Sequence, residues 1–286
     1  MFDVRALLRL PLLLLLVLGF SVAVSVPVLA DNDRAAAADD ENDDDENDAA
    51  ANEDDGDDES MSAEEILDHI DDLHRADSSR GKMRMEIKKE GWERTLEMEY
   101  WTQGRKQSLF RITSPARERG MATLRDDQNI WNYLPRTDRV IRLSPAMMGA
   151  SWAGSHFTNN DLVRESRMAE DYEFEITFEG ERRGYEVIEI KCTPKEDAPV
   201  EWGKVMVTVR AESYQPMFVV YHDEDLEAVR YITYHEIREF DDREVPSVMR
   251  VIPADARNES TTLRILEARY NVEIDDDIFS LRNLRR

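Results

Sequence analysis

The sequence predicts a mainly β protein with some helix (an α+β class), in which about eleven antiparallel strands follow one N-terminal helix. Between residues 82 and 270, short segments alternate apolar and polar residues with a period of two, which is typical of strands with one buried face. Turn-forming residues separate these segments, and no helical pattern of useful length lies between them. Such a series favours a meandering antiparallel sheet, and a sheet this long curls toward a barrel or half-barrel.

Alternation is clearest in four segments, whose apolar members are Met83, Met85 and Ile87; Leu96, Met98 and Tyr100; Tyr172, Phe174, Ile176 and Phe178; and Val205, Val207 and Val209. The predicted breaks are Glu90-Gly91, Gln103-Gly104, Arg136-Thr137-Asp138, Glu179-Gly180-Glu181, Asp223-Glu224-Asp225 and Asp241-Asp242. The segment Asn129–Leu134 is apolar on both faces, so both faces must be covered. One face is expected to pack under the helix, and the other to line a cavity.

The N-terminal helix is predicted over Ala63–Arg75. Ser62 is a favourable N-cap, and Glu65 three residues later completes a capping box. The apolar residues at helical spacing that form the buried face are Ile66, Leu67, Ile70 and Leu73.

The first thirty residues carry the pattern of a secretory signal peptide. Arg5 and Arg9 precede a long apolar run, and small residues permit cleavage after Ala30. No cysteine follows the run, which disfavours a bacterial lipoprotein anchor. The alternative is an uncleaved anchor in the inner membrane, because the run approaches the length of a spanning helix. We therefore expect a periplasmic protein.

Residues 31–60 are predicted to be a disordered acidic linker. They hold sixteen acidic residues against one basic residue, Arg34, and no aromatic or branched aliphatic side chain. Taking the −15 of this linker and the +1 of the leader from the total net charge of −25 leaves −11 for the folded domain, residues 61–286. An acidic domain lacks the cationic surface that nucleic-acid binding needs, so we expect no nucleic-acid partner.

Patterns of catalytic or metal-binding residues are missing. The single cysteine, Cys192, follows an alternating segment and is best explained as a small residue within the sheet. The five histidines show no metal-ligand spacing, and no phosphate-binding loop or nucleophile elbow occurs. We therefore expect no enzyme activity, no catalytic residues, no metal and no cofactor.

Three successive stretches carry a family resemblance: IWNYLP (130–135), RVIRLS (139–144) and MMGASWAGSHFTNNDL (147–162). They resemble the LolA-like outer-membrane lipoprotein-sorting proteins, in particular the branch associated with hydrophobe exporters. The resemblance spans residues 62–286, with its specific part in residues 128–162. The acidic linker and the insertion Ala150-Ser151-Trp152 depart from the family pattern.

This resemblance implies an incomplete antiparallel β-barrel with a helical or loop plug, whose concave face holds acyl chains. The implied function is a periplasmic carrier of lipid or lipoprotein acyl chains, for outer-membrane sorting or for handover to or from an inner-membrane exporter. The protein is expected to be a monomer. The alternative is a periplasmic sensor or accessory subunit that binds a protein partner of an envelope transport complex and carries no cargo.

Nine aromatic, Met and Leu residues are the candidate ligand-binding residues: Leu96, Met98, Tyr100, Trp131, Tyr133, Met147, Met148, Trp152 and Phe157. A further hypothesis makes residues 143–157 a flexible lip of the cavity, because Met and aromatic side chains alternate there with Gly and Ser. The alternative is that these side chains simply close one end of the core.

Overall fold

Thirteen antiparallel strands form one open sheet. The computed structural model describes residues 60–164, 171–196, 198 and 200–286. The strands are β1 (Ser78–Lys89), β2 (Trp92–Gln103), β3 (Gln107–Ser114), β4 (Ala122–Asp126), β5 (Asn129–Leu134), β6 (Arg139–Arg142), β7 (Tyr172–Arg182), β8 (Tyr185–Pro194), β9 (Lys204–Arg210), β10 (Pro216–His222), β11 (Ala228–Phe240), β12 (Arg243–Pro253) and β13 (Ser260–Tyr270). The helices are α1 (Ala63–Arg75), α2 (Asp161–Arg164) and α3 (Leu281–Leu284).

Two meanders make up the sheet, and the pairing of β1 with β13 joins them. The spatial order is β6-β5-β4-β3-β2-β1-β13-β12-β11-β10-β9-β8-β7. Every neighbouring pair is antiparallel, and β6 and β7 are the two free edges. The predicted open antiparallel sheet is therefore confirmed, with thirteen strands in place of about eleven. The chain between β6 and β7 links the two edges, and we call residues 143–162 of it the plug.

The helix α1 begins and ends where the sequence predicts. Ser62 Oγ accepts a hydrogen bond from the backbone N–H of Glu65, and a Glu65 side-chain oxygen accepts one from the backbone N–H of Ser62. Ile66 is fully buried, and Leu67 and Ile70 pack against the same core cluster. The capping box therefore fixes the start of a helix whose apolar stripe faces the concave side of the sheet.

Ser62→Ala is expected to lower the free energy of unfolding by about 1 kcal/mol, because the backbone N–H of Glu65 loses its acceptor. Urea unfolding, together with amide exchange at residues 63–66, measures this effect. A matched variant is Ser213→Ala, which lies outside any helix. Equal losses in the two variants would contradict the capping argument.

A second, smaller core lies on the outer face of β2–β5. Buried Leu109, Leu124 and Tyr133 pack there against Phe279 and Leu284 from the C-terminal segment. Arg111 Nη2 donates a hydrogen bond to the Asn283 carbonyl oxygen at 2.7 Å. The C-terminal segment thus covers the outer face of β5, whose other face packs through Ile130 against Leu143 in the plug. Both faces of β5 are covered, as predicted, but helix α1 covers neither face and no residue of β5 lines the hollow described below.

Some sequence expectations fall outside the described residues. The leader (1–30) and the linker up to residue 59 are among them, and all described elements belong to the unit Asp57–Arg286. One predicted break is wrong: Gly180 lies inside β7, and the turn to β8 comes at Arg183-Gly184. Gly180 takes a φ of 141° next to an irregular pairing at Ile176/Phe178, so the glycine serves a distorted strand and not a turn.

Candidate functional site

A hollow of about 290 Å³ lies inside the curled sheet, between α1 and the plug. Strands from both meanders contribute to its walls, which shows that the sheet wraps around it. The apolar wall residues from the strands are Met83, Tyr100, Phe110, Phe174, Val205, Val207, Pro216, Val219, Tyr221, Tyr234, Pro246, Met249, Leu263 and Ile265. Leu67 and Ile70 of α1 and Trp152, Phe157 and Leu162 of the plug close it.

Many of these apolar side chains are only half-buried. Met83, Phe110, Met249 and Leu263 all retain accessible surface although they face inward. The residues nearer the plug on the same strands, such as Met85, are fully buried. The core is therefore filled toward the plug and open toward α1.

Tyr100 reaches the hollow because its partner across β1 is a glycine. Gly81 pairs directly with Tyr100, and a Cβ at Gly81 would lie 2.8 Å from the tyrosine ring. The same Cβ would overlap the Glu267 carbonyl oxygen of β13. Gly81 thus permits close approach of backbone and ring at this point in the wall. Burial raises the pKa of Tyr100, so the phenol stays neutral at physiological pH.

The open end of the hollow lies beside α1. Among the wall residues, the exposed ones are Glu64, Asp68 and Arg105. Arg105, in the turn between β2 and β3, places Nη2 at 2.7 Å from Asp68 Oδ1 and Nε at 3.2 Å from Asp71 Oδ2. The hydrogen bond to Asp68 raises the pKa of Arg105. On the other side of α1, Arg243 Nη1 donates to the Asp72 carbonyl oxygen at 2.7 Å. Arg105 from the β2–β3 turn and Arg243 from the start of β12 therefore hold α1 over the mouth of the hollow.

At the opposite end, the plug is a compact turn held by its own hydrogen bonds. The Trp152 N–H donates to the Phe157 carbonyl oxygen at 2.7 Å, and fully buried Ser155 donates from Oγ to the Trp152 carbonyl oxygen at 2.7 Å. Trp152 Nε1 donates to Thr123 Oγ1 at 3.1 Å. The indole also meets the Phe110 ring edge-on, with the ring centroids 5.1 Å apart. The two large aromatic side chains of the plug, Trp152 and Phe157, are thereby fixed as the floor of the hollow.

A buried ion pair joins the plug to the sheet. Arg230 Nη1 lies 2.8 Å from Asp161 Oδ2, and the two side chains are only 9% and 11% exposed. The guanidinium lies over the Tyr221 and Trp202 rings, at 4.1 and 5.0 Å from their centroids. Burial opposes the charge of Arg230, but Tyr221 and Asp161 outweigh it and raise the pKa of the guanidinium. The plug and β11 are thus bound by a charge pair that has little contact with water.

A second polar link joins the plug to β13. The backbone N–H of His156 donates to Thr261 Oγ1 at 3.0 Å, and His156 Nε2 lies 3.1 Å from Glu259 Oε2. The Glu259 carboxylate also accepts the backbone N–H of Glu90 at 2.8 Å. The hydrogen bond from the Glu90 N–H is the largest cause that lowers the pKa of Glu259, and the hydrogen bond with His156 is the second. The ionised carboxylate therefore holds the β1–β2 turn and the plug together.

Glu259→Gln is expected to destabilise the protein at neutral pH and to have less effect in acid. Because the folded-state pKa of Glu259 is below its ordinary value of 4.5, the stabilisation is complete above that value and is lost as the pH falls through the lowered folded value. Urea unfolding of both proteins over a pH series measures the difference, with Glu224→Gln on an exposed turn as control. A difference that does not change with pH would contradict this account.

Three of the nine candidate ligand-binding residues line the hollow: Tyr100, Trp152 and Phe157. The other six lie elsewhere: Leu96, Met98, Trp131, Tyr133, Met147 and Met148. Leu96 and Met98 share the inner face with Tyr100 but are fully packed nearer the plug.

Trp131 and Tyr133 belong to the outer core, where Tyr133 Oη donates to Asp138 Oδ1 at 3.2 Å. Met147 is 40% exposed, and Met148 packs against Ile130 and Leu143. The hypothesis that residues 143–157 act as a flexible lip stays a prediction, and only the later part of this segment reaches the hollow.

Several wall residues were missed from the sequence. Leu263 and Tyr234 alternate with more polar residues on their strands, so the sequence indicates which side chains point inward but not what surrounds them. Val219 lies in the continuous apolar run 217–221, where alternation does not identify the inward face. Arg230 could also have been identified from the sequence. It lies on the same strand face as Ile232 and Tyr234, so it places a cation among apolar residues.

The described residues also bear on metal binding, thiol reactivity and membrane insertion. No group of three or more His, Cys, Asp or Glu side chains there is placed to hold a metal ion. Cys192 is fully buried in β8, as expected, and burial raises the pKa of its thiol to about 12. No helix within the described ranges has the length and apolar character to cross a membrane.

Comparison with known proteins identifies a matching family model and several structures with a similar fold. A family model described as an uncharacterized protein matches residues 104–286. No curated protein matches the sequence. A DUF1329 family protein from Desulfovibrio piger is similar in structure, with a TM-score of 0.70 and 20% identity, over 77% of this chain and 96% of its own.

Two further solved structures are similar. A domain from Vibrio parahaemolyticus assigned to outer-membrane lipoprotein sorting has a TM-score of 0.67 and 21% identity, over 79% of this chain and 100% of its own. A LolA-superfamily protein from Nitrosomonas europaea has a TM-score of 0.65 and 20% identity, over 78% of this chain and 99% of its own. These likenesses show that the fold is the LolA-like open barrel.

Proposed function

This chain belongs to the family of uncharacterized proteins whose model matches residues 104–286, and from that membership and its LolA-like fold we propose that it is a periplasmic carrier of lipid or lipoprotein acyl chains. The carrier takes up its cargo for outer-membrane sorting or for handover to or from an inner-membrane exporter. In this proposal it acts as a monomer and catalyses no reaction. The predicted signal peptide supports the periplasmic location, as does the relationship of fold to proteins named for lipoprotein sorting.

One observation carries the proposal: inward-facing apolar side chains of the sheet retain accessible surface around a hollow that opens beside α1. Each buried methylene contributes about 0.8 kcal/mol, so a dozen contribute about 10 kcal/mol. Association costs at least about 4 kcal/mol. At this lowest cost ~6 kcal/mol remains, which corresponds to a dissociation constant of tens of micromolar. Binding by the walls alone is therefore readily reversible, which suits a carrier that must release its cargo.

Binding of N-phenylnaphthylamine, a neutral apolar fluorophore, tests this proposal. Its emission is expected to rise and saturate on titration with the full mature protein, with one site per chain. Displacement by dodecyl maltoside below its micellar concentration should then reverse the signal. Absence of a saturable signal from the folded protein would contradict the carrier proposal and favour the accessory subunit that binds only a protein partner.

A further inference from the structure

The mouth of the hollow carries an acidic stripe on α1. Glu64, Asp68 and Asp71 are spaced four and three residues apart, so they lie on one face of the helix. All three line the hollow, and Glu64 and Asp68 are also exposed. Carboxylates therefore border the opening through which a ligand meets the solvent.

An apolar stripe on the same helix runs beside the acidic one. Leu67 and Ile70 line the hollow from α1, directly adjacent in sequence to Asp68 and Asp71. A ligand that fills the hollow with an apolar chain thus leaves its head group at the level of the carboxylates. This division between an apolar interior and a charged rim matches the shape of an amphiphile.

Carboxylates outnumber cations among the described wall residues at the rim. Of the wall residues at this end, three are carboxylates and one is a guanidinium, that of Arg105. Asp68 and Asp71 both contact this guanidinium, whereas exposed Glu64 takes no part in these two contacts. Deeper in the hollow, Asp161 is balanced by Arg230, so this pair contributes no net charge. The head group of a bound ligand therefore meets a field that is negative.

The volume of the hollow limits the ligand as well. At about 290 Å³ it lies at the lower end of the range for small-molecule pockets, about 300–1,000 Å³. It accommodates one apolar chain and not several packed side by side. The filled floor formed by Trp152 and Phe157 gives no further room at the plug end.

We infer that the ligand of the hollow is a single-chain amphiphile with a cationic head group, selected by the acidic stripe of α1. This inference rests on the proposed function and names its substrate class. A neutral head group of the same chain length binds less well, and an anionic one binds worst. Two unit charges in water interact by about 1 kcal/mol at contact distance, which corresponds to about a fivefold change in affinity. The preference falls as salt screens the rim.

Displacement of bound N-phenylnaphthylamine by three dodecyl amphiphiles tests the inference. The probes are dodecyltrimethylammonium, dodecyl maltoside and dodecanoate, each below its micellar concentration, at low ionic strength and pH 8. The expected order of affinity is cationic, neutral, anionic, with about a fivefold step between neighbours. The steps should shrink at high salt.

Two charge reversals separate the acidic stripe from the net charge of the protein. Glu64→Lys, and Glu64→Gln as a milder second variant, should flatten the preference. Glu224→Lys makes the same change in net charge on an exposed turn at the plug end and should leave the preference intact. Circular dichroism confirms that each variant is folded.

The outcomes distinguish the two proposals. If the fluorophore binds but the three amphiphiles compete equally, or dodecanoate competes best, the cationic inference is wrong and the carrier proposal stands. If Glu64→Lys and Glu224→Lys reduce the preference equally, or neither reduces it, the assignment to the acidic stripe is overturned. If the fluorophore does not bind to the folded protein, both proposals fail.

Discussion

Leu263→Trp is expected to weaken binding of N-phenylnaphthylamine by about fiftyfold, because the indole takes up room for about three methylenes at about 0.8 kcal/mol each. Leu263 lies on β13 and is half-buried at the wall of the hollow, so the larger side chain has space to extend inward. The variant is expected to fold, since the indole fills open space instead of forcing apart a packed core.

The matched control is Thr262→Trp, one residue earlier on the same strand and on its outer face. Thr262 pairs with Glu86 and Arg250, whose side chains are exposed. This variant should bind the fluorophore as the native protein does. Native affinity in Leu263→Trp, with an unchanged melting temperature, would show that ligands bind somewhere other than the hollow.

Asp161→Ala is expected to lower the free energy of unfolding by about 3 kcal/mol, because it leaves the Arg230 guanidinium buried without its counter-ion. Asp161 Oδ2 also accepts the backbone N–H of Thr158 at 2.7 Å, so the start of α2 loses a partner too. Among the described residues, Arg230 Nε has no acceptor, and Asp161 is the carboxylate that pairs with the guanidinium. Urea unfolding at neutral pH measures the loss.

The double variant Asp161→Leu/Arg230→Met provides the control for this prediction. It removes both charges together, and replacing a buried ion pair by apolar side chains is often neutral. It should therefore be more stable than Asp161→Ala. A loss below about 1 kcal/mol for Asp161→Ala would mean that the pair is solvated, as exposed ion pairs are.

The local elements were predictable because their causes are local. The capping box at Ser62 and Glu65 satisfies backbone groups within one helical turn, so it fixes the start of α1 wherever the helix packs. Alternation in β2 and β9 likewise reports one buried face. Gly180 shows the limit of such patterns, since glycine permits a distorted strand as well as a turn, and only the register with β8 decides between them.

The hollow could not be predicted in full, because alternation shows which face of a strand is buried but not where along the strand the packed core ends. Leu96, Met98 and Tyr100 have the same phase on β2, yet the plug packs over the first two and not over Tyr100. The partner that decides their environment, Trp152, lies more than fifty residues away in the chain. Its position depends on how the sheet curls, which is a property of all thirteen strands together.

The outer core shows the same dependence on distant contacts. From the sequence, Trp131 and Tyr133 are predicted to bind ligand in the cavity, because they are aromatic and lie on a strand with two apolar faces. They instead pack against Phe279 and Leu284, from the last ten residues of the chain. Two apolar faces correctly indicate two partners, but the sequence does not identify them.

The central claim is that the hollow beside α1 holds an apolar ligand. Analysis of the lipid that co-purifies with the protein is the most direct measurement of this claim. The protein is purified without detergent and extracted with organic solvent. The extract is then analysed by mass spectrometry beside an extract of Leu263→Trp. We expect a single-chain amphiphile to be enriched in the extract of the native protein and largely missing from that of the variant. Equal traces of bulk membrane lipid from both proteins would contradict the claim that the hollow holds an apolar ligand.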